Sequence, residues 1–123
     1  MRNNARAGLD EVNGWKAFAT TEPFSVEIRP DRQRVFVAPH GELDLDTVDQ
    51  VAAEVDELVA RGFAAIVIDL RATSFIDSSG MHLLLSCARR GDARITVMDG
   101  PPAVSRVFDL AGVRDILAFE EAR

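Results

Sequence analysis

The run Ala64-Ala65-Ile66-Val67-Ile68-Asp69-Leu70 is nearly continuous in apolar, largely β-branched side chains, and soon after it the hydrophobic period changes to Met81, Leu84, Leu85 and Ala88. A strand that is apolar at successive positions has no polar face to offer water. It therefore has to be covered on both sides, as a strand inside a parallel or mixed sheet is. The wider spacing that follows predicts a helix. Between the two lie a short connector, Arg71 to Ile76, and the polar break Asp77-Ser78-Ser79-Gly80. Asp77 and Ser78 are both favoured N-cap types, because a short side-chain oxygen accepts from N–H groups of the first turn that have no partner within the helix. A serine hydroxyl is thus expected at an exposed helix start, beside the end of a rigid strand.

Composition narrows the function classes. The 123 residues fit one domain, and 47% hydrophobic residues suffice for a packed core. A net charge of -6 with no basic stripe argues against direct nucleic-acid binding, which needs clustered Lys and Arg to displace counterions. The one cysteine, Cys87, cannot form an internal disulfide and falls in the apolar helix pattern, where it reads as a small buried hydrophobe. No apolar run approaches the roughly 18 residues that span a bilayer, and the first residues lack a signal-type apolar core. The expectation is a soluble cytoplasmic protein with no membrane partner.

Residues 1–22 carry only Trp15 and Phe18 as large anchors and read as an N-terminal extension, partly flexible or covering the sheet; the domain proper is expected over 23–123. Phe24, Val26 and Ile28 alternate with polar residues, and Val35-Phe36-Val37 follows the turn residues 30–33, which predicts two antiparallel strands. Pro39-His40-Gly41 is expected to break the second strand. Val48, Val51, Ala52, Val55, Leu58 and Val59 then mark a helix closed by Gly62. After the 64–70 strand and a helix over about 78–89, Ile95, Val97 and Met98 predict a fourth strand. Pro101-Pro102 opens a third helix with Val104, Val107, Phe108 and Ala111 inward, Gly112 ends it, and Ile116, Leu117 and Phe119 predict a last strand. The order ββαβαβαβ implies an α/β fold with one mixed, mostly parallel sheet joined by helical crossovers. Functional residues in such sheets gather where strand ends lead into helices, here in the loops 39–47, 71–79 and 99–102.

Two polar groups stand out. One of Ser78 and Ser79 caps the helix, or acts as a nucleophile, or is phosphorylated by a kinase partner. The nucleophile is disfavoured because no Gly-x-Ser-x-Gly elbow is present and only His40 and His82 could serve as base. A phosphate would add about -1.5 to -2 charge beside Asp77, softened by the helix dipole. Glu42, Asp44 and Asp46 either cap and polarise the next helix, with Asp46 and Asp49 as a weak capping box, or form an acidic docking rim. A hard-cation loop needs more oxygen ligands and a central glycine turn, so no metal site is expected. No cofactor is expected either.

Gly41-Glu42-Leu43-Asp44, Ile68-Asp69-Leu70 through Phe75-Ile76-Asp77-Ser78-Ser79-Gly80, and Val104-Ser105-Arg106-Val107-Phe108-Asp109-Leu110-Ala111-Gly112-Val113 together form a recognisable series. From about residue 24 to 119 the chain resembles the STAS domain, specifically the bacterial anti-sigma factor antagonists. The resemblance implies a regulator of transcription in stress response that is not an enzyme. Such a protein works by partner switching: it binds an anti-sigma factor with serine kinase activity, frees a sigma factor, is switched off by serine phosphorylation and is reset by a PP2C-type phosphatase. By the same resemblance the phosphoacceptor is Ser78, and partner-binding residues are Glu42, Asp44 and Thr47 in one loop and Asp77, Ser79, Gly80 and Met81 in the other. An alternative on the same scaffold is a STAS sensing or scaffold module that binds a nucleotide, small ligand or transport complex without phosphorylation.

Two features depart from the family pattern. Its further C-terminal amphipathic helix has no counterpart in the four residues after the last predicted strand. Leu9, Val12, Trp15 and Phe18, at near-helical spacing, are expected to supply cover for the sheet within the chain or in a homodimer. Arg71 beside the strand end is the second departure, expected to alter partner choice.

Overall fold

A computed structural model describes residues 23–120. The elements in order are β1 (Ser25–Asp31), β2 (Arg34–Leu43), α1 (Val48–Ala60), β3 (Ala65–Asp69), β4 (Thr73–Ile76), α2 (Ser78–Ala88), β5 (Arg94–Met98), α3 (Pro102–Ala111) and β6 (Phe119–Glu120). The extension 1–22, with Leu9, Val12, Trp15 and Phe18, lies outside the described residues. One six-stranded sheet runs in the order β1-β2-β3-β5-β6, with β4 paired to β2 away from that path. Among the described residues, β1 and β2 form the antiparallel pair and the other pairs are parallel. The fold is the α/β domain with a mixed, mostly parallel sheet that the hydrophobic pattern implies.

Alternation along the strands sends Val35 and Val37, Ile66 and Ile68, and Ile95 and Val97 to one face, where they meet Val51 and Val55 of α1, Leu84 of α2 and Val104 and Phe108 of α3. Each such side chain contributes about 1.5–3 kcal/mol on full burial. Cys87 belongs to this core, and burial pushes its thiol up to about 11, so it is inert at neutral pH. Phe36, Val67 and Met98 form a separate cluster on the opposite face.

Three local expectations are corrected. Pro39 does not end the second strand: β2 continues to Leu43, paired with β3 over Arg34–Val37 and with β4 over Gly41–Leu43. Pro39 falls in the gap between those two partners, where its missing N–H leaves no ladder position empty. Gly41 takes a positive φ of 114° as the register shifts there. The connector 71–76 is itself partly a strand, β4, because Thr73 and Ile76 turn inward beside β2 while Ser74 and Phe75 face out. Ile116 and Leu117 are not in the last strand. The chain turns there, with the Ile116 and Leu117 N–H groups donating to the Val113 carbonyl (3.0 and 3.2 Å), and Leu117 plugs the core.

The least expected interior group is Asp69, an almost fully buried carboxylate at the end of β3. It accepts from the Arg71 backbone N–H (3.0 Å), from Arg71 Nε and Nη2 (3.0 and 2.8 Å), and from Arg29 Nη2 (3.2 Å). Burial alone would push its carboxyl up, but these bonds together outweigh it and hold the group at about 2 against an ordinary 3.8. A carboxyl lowered on folding stabilises the native state above its unfolded value and loses that contribution as pH falls through its folded one. Asp69→Asn is therefore expected to lower stability at pH 7 by about 1–3 kcal/mol. The deficit relative to the parent should close as pH falls from about 4 to about 2. Urea titrations of both proteins across that window check this, and a deficit independent of pH would contradict the assignment.

Candidate docking edge around Ser78

The short pairing of β4 with the end of β2 positions the site. Gly41, Glu42 and Leu43 face Thr73, Phe75 and Ile76, which sets the loop after β2 beside the loop after β4. The Thr73 hydroxyl donates to the Pro39 carbonyl (2.9 Å), the Gly41 N–H to the Ala72 carbonyl (3.1 Å), and the Asp77 N–H to the Leu43 carbonyl (3.3 Å). The two loops are neighbours through this added strand rather than through β3.

Helix α2 starts at Ser78, and its N-cap is Asp77, whose extended backbone (φ -109°, ψ -169°) lets Oδ1 accept from the Gly80 N–H at 3.1 Å. Capping by a serine is thereby corrected: Ser78 is already helical, one residue beyond the cap. Its side chain is exposed and Ser79 is half-buried. Among the described residues, no hydrogen bond engages either hydroxyl, and His40 is instead bonded to Glu27 at 2.9 Å. Gly80 has a packing reason: a Cβ there would lie 2.6 Å from Ile76 Cγ1 and 2.8 Å from the Leu43 carbonyl oxygen. Only a bare backbone lets α2 seat so close to β2. Met81 is 7% exposed and belongs to the core, so its side chain is not available for the partner contact expected of it.

The facing loop is held by Thr47. Its hydroxyl accepts from the Asp44 N–H (2.9 Å) and donates to the Glu42 carbonyl (2.7 Å), while the Asp44 carboxylate accepts from the Asp46 N–H (3.0 Å). Thr47 occupies the N-cap position of α1 without a side-chain cap bond, so the Asp46–Asp49 capping box does not form. Turned back on its own loop, Thr47 leaves Glu42 and Asp46 exposed and Asp44 half-buried at the rim. Among the described residues, no three His, Cys, Asp or Glu side chains converge to hold a metal ion. No helix among them is long and apolar enough to cross a membrane. Arg71 is tied to Asp69 next to this edge.

Two exposed apolar side chains on the same edge escaped the sequence reading: Leu45, 72% exposed between Asp44 and Asp46, and Phe75, 47% exposed and paired with Glu42. Neither had a periodic signal: strict alternation would set Phe75 on the face of buried Thr73, whereas Ser74 and Phe75 both face out, and a single leucine in an acidic loop has no period.

Residues 26–118 match the family described as "Mlab, STAS domain". Over 96 residues the chain is 31% identical to the anti-sigma F factor antagonist of Paenibacillus polymyxa, covering 75% of this chain and 82% of that one. The chain belongs to the STAS-domain family of anti-sigma factor antagonists. An anti-sigma factor antagonist from Mycobacterium paratuberculosis shares the fold, with a TM-score of 0.74 at 22% identity over 84% of this chain and 90% of that one. The antagonist SpoIIAA in its unphosphorylated form gives a TM-score of 0.62 at 27% identity, over 80% and 89% of the two chains. The Bacillus cell fate determinant SpoIIAA in its phosphorylated form gives 0.56 at 26%, over 80% and 92%. In this STAS domain the Asp-Ser-Ser-Gly segment is the start of α2, and its glycine and aspartate build the edge on which the serines stand.

The geometry assigns separable costs. Gly80→Ala is expected to destabilise the domain by about 1–3 kcal/mol through overpacking against Leu43 and Ile76. Asp77→Ala is expected to cost about 1 kcal/mol through the lost cap. Chemical denaturation measures both. A Gly80→Ala variant as stable as the parent would show that α2 can shift away without penalty.

Proposed function

We propose that this STAS domain is an anti-sigma factor antagonist that binds an anti-sigma factor with serine kinase activity and thereby frees a sigma factor. Phosphorylation of Ser78 weakens that complex, and a PP2C-type phosphatase restores it. The observation that carries this reading is the placement of Ser78, exposed and without a hydrogen bond among the described residues, on an edge fixed by β4 and Asp77. The existence of a relative in unphosphorylated and phosphorylated forms supports it.

In the transfer, the Ser78 oxygen takes the γ-phosphoryl group of ATP, ADP leaves and the hydroxyl proton is released. The kinase supplies the catalytic groups and the antagonist supplies a rigid acceptor. Because Ser78 lies in the first turn of α2, unpaired N–H groups and the helix dipole favour the added negative charge. The fold is therefore kept. What changes is the surface: about -1.5 to -2 charge joins a rim that already holds Glu42, Asp44, Asp46 and Asp77. A partner surface fitted to the unmodified edge then meets excess charge and a bulky group. Leu45 and Phe75, both exposed, serve as apolar anchors for the partner, and the carboxylates steer encounter with a basic partner face.

The test mixes the purified chain with kinase-type anti-sigma factors and ATP and maps any phosphate by mass spectrometry. Phosphate is expected on Ser78 and none on Ser78→Ala. Ser78→Asp is expected to weaken binding at least about tenfold, on the order of 1.4 kcal/mol, while leaving the circular dichroism spectrum unchanged. Phosphate elsewhere, or binding indifferent to Ser78→Asp, would overturn the switch. Leu45→Glu and Phe75→Glu are each expected to lose about 2 kcal/mol or more of binding by calorimetry at unchanged melting temperature.

A further inference from the structure

Helix α2 begins at Ser78, and His82 follows one turn later. Residues at that spacing are neighbours on one helix face, with Cβ atoms about 5–6 Å apart. Helical side chains also lean toward the N-terminus, which sets the imidazole over the turn that starts with the serine. Both residues are exposed, whereas Ser79 is half-buried and Gly80 and Met81 are buried. Ser78 and His82 are thus the outward pair at the head of α2. Among the described residues the His82 ring makes no hydrogen bond or ion pair, in contrast to His40, which is held by Glu27 at 2.9 Å. As a base His82 lacks an orienting partner, but as a donor it needs none. No aspartate or glutamate on α2 competes for the ring. Arg71, the cation next to this edge, is occupied by Asp69 at 2.8 Å.

We propose that His82 holds the phosphate of the switch: once Ser78 is phosphorylated, the imidazole one turn along α2 donates a ring N–H to a phosphate oxygen. The inference rests on the reading of Ser78 as the phosphoacceptor. A phosphate there adds about -1.5 to -2 charge beside Asp77, on a rim that already holds Glu42, Asp44 and Asp46. That excess charge needs a donor that is free and within reach. An imidazole offers an N–H in either protonation state, and its ring can carry positive charge at little cost near neutral pH. The rival donors belong to the backbone. Asp77 takes the Gly80 N–H, which leaves the N–H groups of Ser78 and Ser79. Those would keep the phosphate at the helix end, whereas His82 draws it along the outer face of α2. His82 therefore fixes where the new charge stands when a partner approaches, and it acts as a positioning residue for the modified state alone.

The test places phosphoserine at position 78 of the full chain by genetic-code expansion, so that no kinase is needed. On phosphorylation the ring nitrogen NMR resonances of His82 are expected to shift while those of His40 stay in place. His82→Ala is expected to move the phosphorus resonance and to lower the melting temperature of the phosphoprotein by about 2–5 °C. That shift is read against the same substitution in the unphosphorylated chain, which cancels the helix preference of alanine. His82→Arg, which keeps a cationic donor, is expected to restore the melting temperature of the phosphoprotein. A merely structural histidine would change both forms alike. His82 resonances that ignore the phosphate, or a His82→Ala phosphoprotein with the phosphorus resonance and relative melting temperature of the parent, would overturn the proposal and leave the phosphate on the backbone N–H groups. The switch itself stands or falls separately, on whether a kinase modifies Ser78, which these spectra do not require.

Discussion

The candidate docking edge depends on how closely the end of β2 approaches the start of α2. The Leu43 carbonyl receives the Asp77 N–H, and Gly80 packs so near Leu43 and Ile76 that no Cβ fits between them. That approach is possible because β2 exchanges one parallel partner for another along its length. It lies beside β3 over Arg34–Val37 and beside β4 over Gly41–Leu43. Pro39 and the positive-φ Gly41 occupy the exchange, where a residue with a regular ladder role would be frustrated. Two loops distant in sequence are thereby joined into one surface before any partner arrives.

The same strands hold the polar interior together. Asp69, at the end of β3, is a carboxylate that burial pushes toward its neutral form, and the bonds from Arg71 and Arg29 outweigh that push and keep it ionised. Arg29 also covers Phe36, so one side chain both compensates a buried carboxylate and shields an aromatic ring on the face opposite the helices. Arg71 thus has an internal partner, whatever it contributes to recognition. On the other side of the molecule Arg114 plays a comparable part, pairing with Asp99 and Asp109 at 2.8 and 2.7 Å while stacking on Phe108 and Phe119. It locks the turn after α3 against the end of β5.

A rigid edge suits a protein whose surface is to be altered by one charge. If Ser78 were the capping residue, phosphorylation would remove the cap and loosen the first turn of α2. With Asp77 as the cap, the Ser78 hydroxyl is spare, and a phosphate of the proposed switch would act on the surface with the fold kept. The exposed apolar side chains of Leu45 and Phe75 would give such a surface binding energy that does not depend on charge.

The sequence alone determined five of the six strands, the three helices and the segment that carries the serines, because these depend on local periodicity: β-branched runs for strands, a 3.6-residue stripe for each helix, and proline and glycine at the helix ends. The similarity of Gly-Glu-Leu-Asp and Asp-Ser-Ser-Gly to a known family pointed to the same region. Tertiary structure decided what depends on residues far apart in the chain. Pro39 reads as a breaker until the gap between β3 and β4 accommodates it. Met81 reads as part of the edge until the core claims its side chain. Asp46 reads as a capping group until Thr47 takes the N-cap position of α1, its hydroxyl drawn back to the Glu42 carbonyl. Which of Asp77 and Ser78 caps α2 was likewise open in the sequence, since either oxygen can serve. The Leu43 carbonyl settles it by binding the Asp77 N–H and keeping that residue extended, one step before the serine.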